Sequence, residues 1–216
     1  LNHLYSGMET GSDRILKLIN KGFDADTVVR SGCMAKDADM ILSEFILLGI
    51  GGKELSEENA AQTAKALNII QPDFIRVHAT GIKLESKLGE FVRDGSFTLQ
   101  SEEEIVIEQK LFLQQLHEMD SYYVNEHIVN LLLEVRGNLR TEKQEMLSTI
   151  DRFLTLPPDE RLLFTVGRRL NIFFRLDDLK KPKLHQKAGE SLQQILSKNP
   201  HVDFAALCNY VRQSQI

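Results

Sequence analysis

The first eighty residues alternate between two periodicities, and that alternation restricts the fold more than any other feature of the chain. Leu1–Tyr5, Met40–Leu48 and Phe74–His78 are short apolar segments of strand character. Between them run helical patterns. Ser12–Asn20 carries Ile15, Leu16, Leu18 and Ile19 on one face, and Asp24–Asp37 starts from Asp24 or Asp26 as a cap. Ser56–Ile70 has Ser56 as its expected N-cap, with Glu57 and Glu58 in the first turn, where the helix dipole favours negative charge. The turns are short and marked by Gly49, Gly51, Gly52 and Pro72. Strand–helix alternation with short turns builds parallel sheets with right-handed crossovers. The expected class is therefore α/β. Three strands do not close a barrel, and an open edge leaves a row of unpaired backbone groups. The missing strands are expected upstream of Leu1, in a longer protein of which this chain, opening on Leu and not Met, is a piece.

After Thr80 the pattern turns helical. Helices are expected over Leu84–Arg93, Ser101–Met119, His127–Val135, Thr141–Leu154, Asp159–Leu176, Leu184–Ser197 and Asp203–Gln213, punctuated by Pro157–Pro158, Pro182 and Asn199–Pro200. The expected division is an α/β part over 1–120 and a helical region over 121–216.

Bulk properties exclude several classes. The 216 residues carry a net charge of -5 and no basic tract, so no nucleic-acid surface is expected. The longest apolar run, Phe45–Ile50, is far too short to cross a bilayer. Cys33 and Cys208 lie far apart with no C-x-x-C, which excludes a disulfide scaffold and an in-chain cysteine metal site and fits a cytoplasmic protein.

The segment SGMETGSDR ends a strand on Glu9 at the mouth of a helix. Ligands of parallel α/β folds bind at the carboxyl ends of strands, so a carboxylate there can accept hydrogen bonds from an amine or from ribose hydroxyls. It can equally serve the helix that follows, as a negative charge at its N-terminus. GIGGKE, Gly49–Glu54, lacks the phosphate-loop spacing and has Glu54 where Ser or Thr should stand; it reads as a turn that lets the backbone approach a ligand. Arg76 and His78 flank the end of the third strand. His117 and His127 have no metal-ligand spacing.

YSGMETGSDRILKLINKG, followed by LSEFILLGIGGKELSEENAAQTAKALNIIQPDFIRVHATGIKLES and YYVNEHIVNLLLEVRG, resembles the second half of a radical S-adenosylmethionine barrel. The branch is that of oxygen-independent coproporphyrinogen oxidase and the elongator-type enzymes. The resemblance spans roughly residues 1–135. It implies the second half of a parallel (β/α) partial TIM-type barrel, followed by an α-helical C-terminal region. It implies S-adenosylmethionine and a [4Fe–4S] cluster as cofactors, the cluster ligands lying outside this chain because the family's C-x-x-x-C-x-x-C loop is absent. The missing N-terminal half of the barrel is then a partner, and the substrate is unidentified. Carried over by position, Glu9 contacts the cofactor at the end of the family's fourth strand. Lys21 stands where relatives place a basic residue against the methionyl carboxylate; its other reading is a cation at a helix C-terminus before Gly22. Phe45 stands near the position of a ribose-binding Asp, and Ser43, on the same strand face, is the substitute. Two rival readings remain: a non-catalytic α/β and helical interaction module, and a different barrel enzyme that binds phosphate at Gly49–Gly52.

Overall fold

The computed structural model describes residues 2–215; Leu1, with which the expected first strand opens, lies outside them. Four strands run parallel in chain order: β1 (His3–Glu9), β2 (Ile41–Leu48), β3 (Phe74–Ala79) and β4 (Tyr122–Val124). A fifth, β5 (Gly137–Asn138), returns antiparallel beside β4. The connections carry α1 (Asp13–Leu18), α2 (Ala25–Asp37), α3 (Ser56–Ile70), α4 (Lys87–Arg93) and α5 (Glu102–Gln115). After β5 follow α6 (Lys143–Leu154), α7 (Pro158–Arg169), α8 (Pro182–Lys198) and α9 (Phe204–Gln213). The α/β class, with a mostly parallel sheet and a helical C-terminal region, is as the sequence leads one to expect.

Strand alternation sorts the two faces of the sheet. Leu42, Ile46, Leu48, Ile75, Val77 and Ala79 point one way and are buried against α3 and α5 through Ala64, Leu67, Ile105 and Phe112. His3, Tyr5, Ser43, Phe45, Phe74, Arg76 and His78 share the other face, which stays open enough to leave Tyr5 57% and Tyr122 38% exposed. A doubly wound sheet reverses its strand order and covers both faces. This sheet keeps chain order and covers one, which is the winding of a barrel arc.

Four segments depart from expectation. His127–Val135 is not helical. Val129, Leu131, Leu132 and Val135 are buried while Ile128 is exposed, and Asn130 donates to Val77 O (2.7 Å) and accepts from the Ala79 N–H (2.7 Å), supplying the partner that β3 lacks beyond the end of β4. The sheet continues past residue 120, because Tyr122–Val124 pairs with Phe74–Arg76. Ser56 does not cap α3, which begins after Leu55 without a side-chain cap; its hydroxyl donates instead to Glu108 Oε2 (2.9 Å), a buried carboxylate that needs donors. The helix expected over Asp159–Leu176 stops at Arg169, where Asn171 turns left-handed (φ 56°), and a 3-10 turn follows at Leu176–Lys180.

Candidate functional site at the strand carboxyl ends

The carboxyl ends of β1, β2 and β3 open into a cleft of about 610 Å³, whose walls include Glu9, Lys21, Leu47, Ile50, Ile82 and Lys87. Its size falls in the range of small-molecule sites.

Glu9 ends β1 across a bulge, with a left-handed backbone (φ 63°) that β-region strand residues do not adopt. Its carboxylate accepts from Lys21 Nζ at 2.7 Å, and both side chains remain partly open, at 20% and 27%. Room for this pair comes from Gly7. A Cβ there would lie 2.7 Å from Glu9 Oε1 and 3.3 Å from Lys21 Nζ, so any larger residue displaces the charges. The turn after Glu9 is held from below. Gly11 packs so close to α3 that a Cβ would meet the Gln62 carbonyl oxygen at 2.2 Å, and its N–H donates to Thr63 Oγ1 (2.9 Å).

Glu9 does not serve the helix N-terminus. Ser12 caps α1, its Oγ accepting from the Ile15 N–H (3.2 Å), and Asp13 supplies the acidic first turn. Lys21 is likewise not the helix's C-terminal cation. Lys17 stands in the last turn, and Lys21 satisfies the helix with its backbone N–H, donated to Leu16 O (2.9 Å), leaving its ammonium for Glu9. Two candidate residues twelve apart in sequence are thus brought together at one strand end.

Ser43 is not brought to them. It lies on the open sheet face opposite Tyr5 and Phe74, one side-chain step before Phe45, or roughly 6–7 Å toward the amino ends of the strands. Its hydroxyl is buried, 3.0 Å from His3 Nε2, and accepts from Arg76 Nε at 3.3 Å. Phe45 instead stands level with Gly7.

The glycine turn after β2 is occupied by the chain's own acid. Glu108 accepts from the Gly49 N–H (3.1 Å), from Asn59 Nδ2 (2.7 Å) and from Ser56; burial pushes its carboxyl upward against these lowering bonds. The Gly49 N–H and the Lys53 ammonium, paired to Glu104 (2.7 Å), are thus already engaged by carboxyl groups of the chain itself.

A buried carboxyl that the sequence did not single out lies beneath the site. Glu44 points to the helix-covered face and is 1% exposed. Burial pushes its pKa up to about 7, opposed by hydrogen bonding from Ser6 and the Met8 amide and reinforced by the Glu9 charge. Among the described residues, one of its oxygens has no hydrogen-bond partner. The far wall of the cleft is set by α9. Asn209 accepts from the Ile82 N–H (2.8 Å) and donates to Ile82 O (2.9 Å), while Arg212 Nε donates to Thr80 O (2.9 Å). Gly81 lets these backbones touch: a Cβ there would sit 2.8 Å from Gln213 N. These partners are more than a hundred residues apart, a separation that local sequence pattern does not encode.

Among the described residues no group of three His, Cys, Asp or Glu is placed to hold a metal, and no helix is long and apolar enough to cross a membrane. No protein-family model matches the chain. No curated protein matches it either. Among solved structures it is similar to the Elp3 of the archaeon Methanocaldococcus infernus lacking its N-terminal residues 1–46, at 19% identity and a TM-score of 0.47. The match covers 55% of this chain and 28% of that one, and is too slight to carry an argument about activity.

Proposed function

We propose that this chain forms the strand-end wall of an S-adenosylmethionine site in a radical S-adenosylmethionine enzyme. The observation that carries the reading is the Glu9–Lys21 pair, cradled over Gly7 at the carboxyl end of β1 and open to a cleft. Its donors and acceptors fit the methionyl end of that cofactor. Lys21 would bind the carboxylate as a point charge, without the bidentate fork an Arg provides. Glu9 would accept from the ammonium. Leu47, Ile50 and Ile82 would exclude water from the cofactor's body. When bound, the cofactor supplies a carbon–sulfur bond for one-electron cleavage. The residues present do not fit the iron–sulfur cluster: Cys33 is half-buried on α2 and Cys208 buried on α9. Its ligands are proposed to come from a barrel half outside this chain. Reconstitution of this chain with iron and sulfide should leave it without a stoichiometric cluster.

A non-catalytic interaction module is the second reading. It is favoured by the fact that Glu9 and Lys21 already satisfy each other, as a structural brace would. Titration with S-adenosylmethionine separates the two. The cofactor reading expects binding that Glu9→Ala and Lys21→Met each weaken about tenfold, the worth of one charge-assisted hydrogen bond. The module reading expects no binding.

A further inference from the structure

The open sheet face carries a cation that the cofactor reading does not use. Arg76, in the middle of β3, has its Cζ 5.5 Å from the ring centroid of Tyr5, 5.9 Å from Phe45 and 5.6 Å from Phe74. Its Nε is held by Ser43 Oγ at 3.3 Å. His3 stacks on Tyr5 with ring centroids 4.2 Å apart, closing the cage on the amino-terminal side. Toward the carboxyl ends stand His78 and His127, in ring contact at 4.3 Å. Burial, then the charges of His127 and Arg76, hold His78 down near a pKa of about 4, so it is a neutral imidazole at pH 7. Among the described residues no carboxylate pairs with Arg76, whereas Glu9, the acid bordering this face, is engaged by Lys21. Arg76 is half-buried, and the planar fork of its guanidinium matches carboxylate and phosphate. Three rings surround the guanidinium before any ligand arrives, which reduces the ordering cost of binding. In a chain of net charge -5, this is a face of basic and aromatic side chains.

We propose that Arg76 anchors the carboxylate or phosphate of a ligand whose flat, unsaturated body stacks on the ring surface of Tyr5 and Phe45. The site stands without the cofactor; that its ligand is the substrate rests on the function proposed here for the strand-end cleft.

The test titrates the chain, with no S-adenosylmethionine present, with 1-naphthyl phosphate, 1-naphthoate and neutral 1-naphthol, followed by naphthyl fluorescence. Both anions are expected to bind about tenfold more tightly than the naphthol, the gain of one charge-assisted fork. The ratio between the two anions tells which headgroup the site prefers. Arg76→Met should erase the advantage of the anions and leave naphthol binding in place. Arg76→Lys should restore part of it, since the charge returns without the fork. An advantage that survives Arg76→Met, or that is lost on Lys21→Met instead, overturns the assignment. Absence of S-adenosylmethionine binding, by contrast, would end the cofactor reading and leave this result standing.

Discussion

Two carboxylate–cation clusters in this protein use the same chemistry for opposite ends. Glu9–Lys21 sits at a strand end, with the side chains 20% and 27% exposed. Glu102 sits in the interior at 4%, where Arg169 and Arg212, at 3% and 2%, both bind it, Arg169 through Nη2 at 2.5 Å. The buried cluster ties α5 to α7 and α9. Arg169 goes on to Val129 O (2.9 Å) and Arg212 to Thr80 O, so each arginine also meets the backbone of a different segment. The arginines hold the Glu102 carboxyl below its usual range although burial acts to raise it. Such a cluster can only be broken at great cost. The strand-end pair lacks that burial and, among the described residues, makes no further side-chain hydrogen bond, which is what the proposed replacement of each half by a ligand requires. Burial, and not the pairing of charges, separates a structural ion pair from an available one.

The largest expected effect breaks the buried side of that contrast. Glu102→Ala leaves two buried guanidinium groups without a counter-charge and should lower unfolding stability by about 3–5 kcal/mol in denaturant titration. Next is the titration of Glu44. Its folded pKa is raised from 4.5 to about 7, so the folded state holds a proton that the unfolded chain releases. Stability should therefore fall as pH rises from about 4.5 to about 7, by an amount on the order of 3 kcal/mol. Glu44→Gln should flatten that part of the profile, and an unchanged slope would remove Glu44 as its cause. Asn209→Ala strips both hydrogen bonds from Ile82 and should cost about 1–3 kcal/mol, visible as faster hydrogen exchange at the Ile82 amide and through α9. The smallest effect on stability, within about 0.5 kcal/mol, is expected for Gly7→Ala, because the clashing atom is the end of a flexible side chain. That same substitution displaces Glu9 from Lys21. If the strand-end pair is a binding site, it should weaken cofactor binding about tenfold at near-constant stability.

The α/β start was legible because each strand and helix of the first eighty residues announces itself locally: period and glycine turns agree, although the expected Ser56 cap does not form. Asp24 does cap α2, accepting from the Thr27 N–H at 2.8 Å. The short β4 escaped because Tyr-Tyr-Val is too brief for a period to show and is defined by pairing with β3. The stretch from His127 to Val135 misleads because Val129, Leu131, Leu132 and Val135 are buried by tertiary contact, without a helix, while Asn130 serves a strand edge. At the candidate site, Glu9 is legible from its place at a strand end, whereas Lys21 comes from the resemblance to the radical S-adenosylmethionine family. Their pairing depends on a left-handed residue and an absent Cβ at Gly7, and only the second leaves a trace in the sequence. Ser43 does share a strand face with Phe45, but strand register puts it a step away from the Glu9–Lys21 pair, engaged by His3 and Arg76. Asn209 and Arg212 were invisible because their partners lie 127 and 132 residues distant.

The central claim is that the Glu9–Lys21 pair opens to receive a zwitterionic ligand. Calorimetric titration of S-adenosylmethionine into the native protein, reconstituted anaerobically, tests it most directly when Glu9→Ala and Lys21→Met are run beside it. The account predicts saturable binding that each substitution weakens about tenfold. Binding indifferent to both substitutions, or no binding at all, would contradict it.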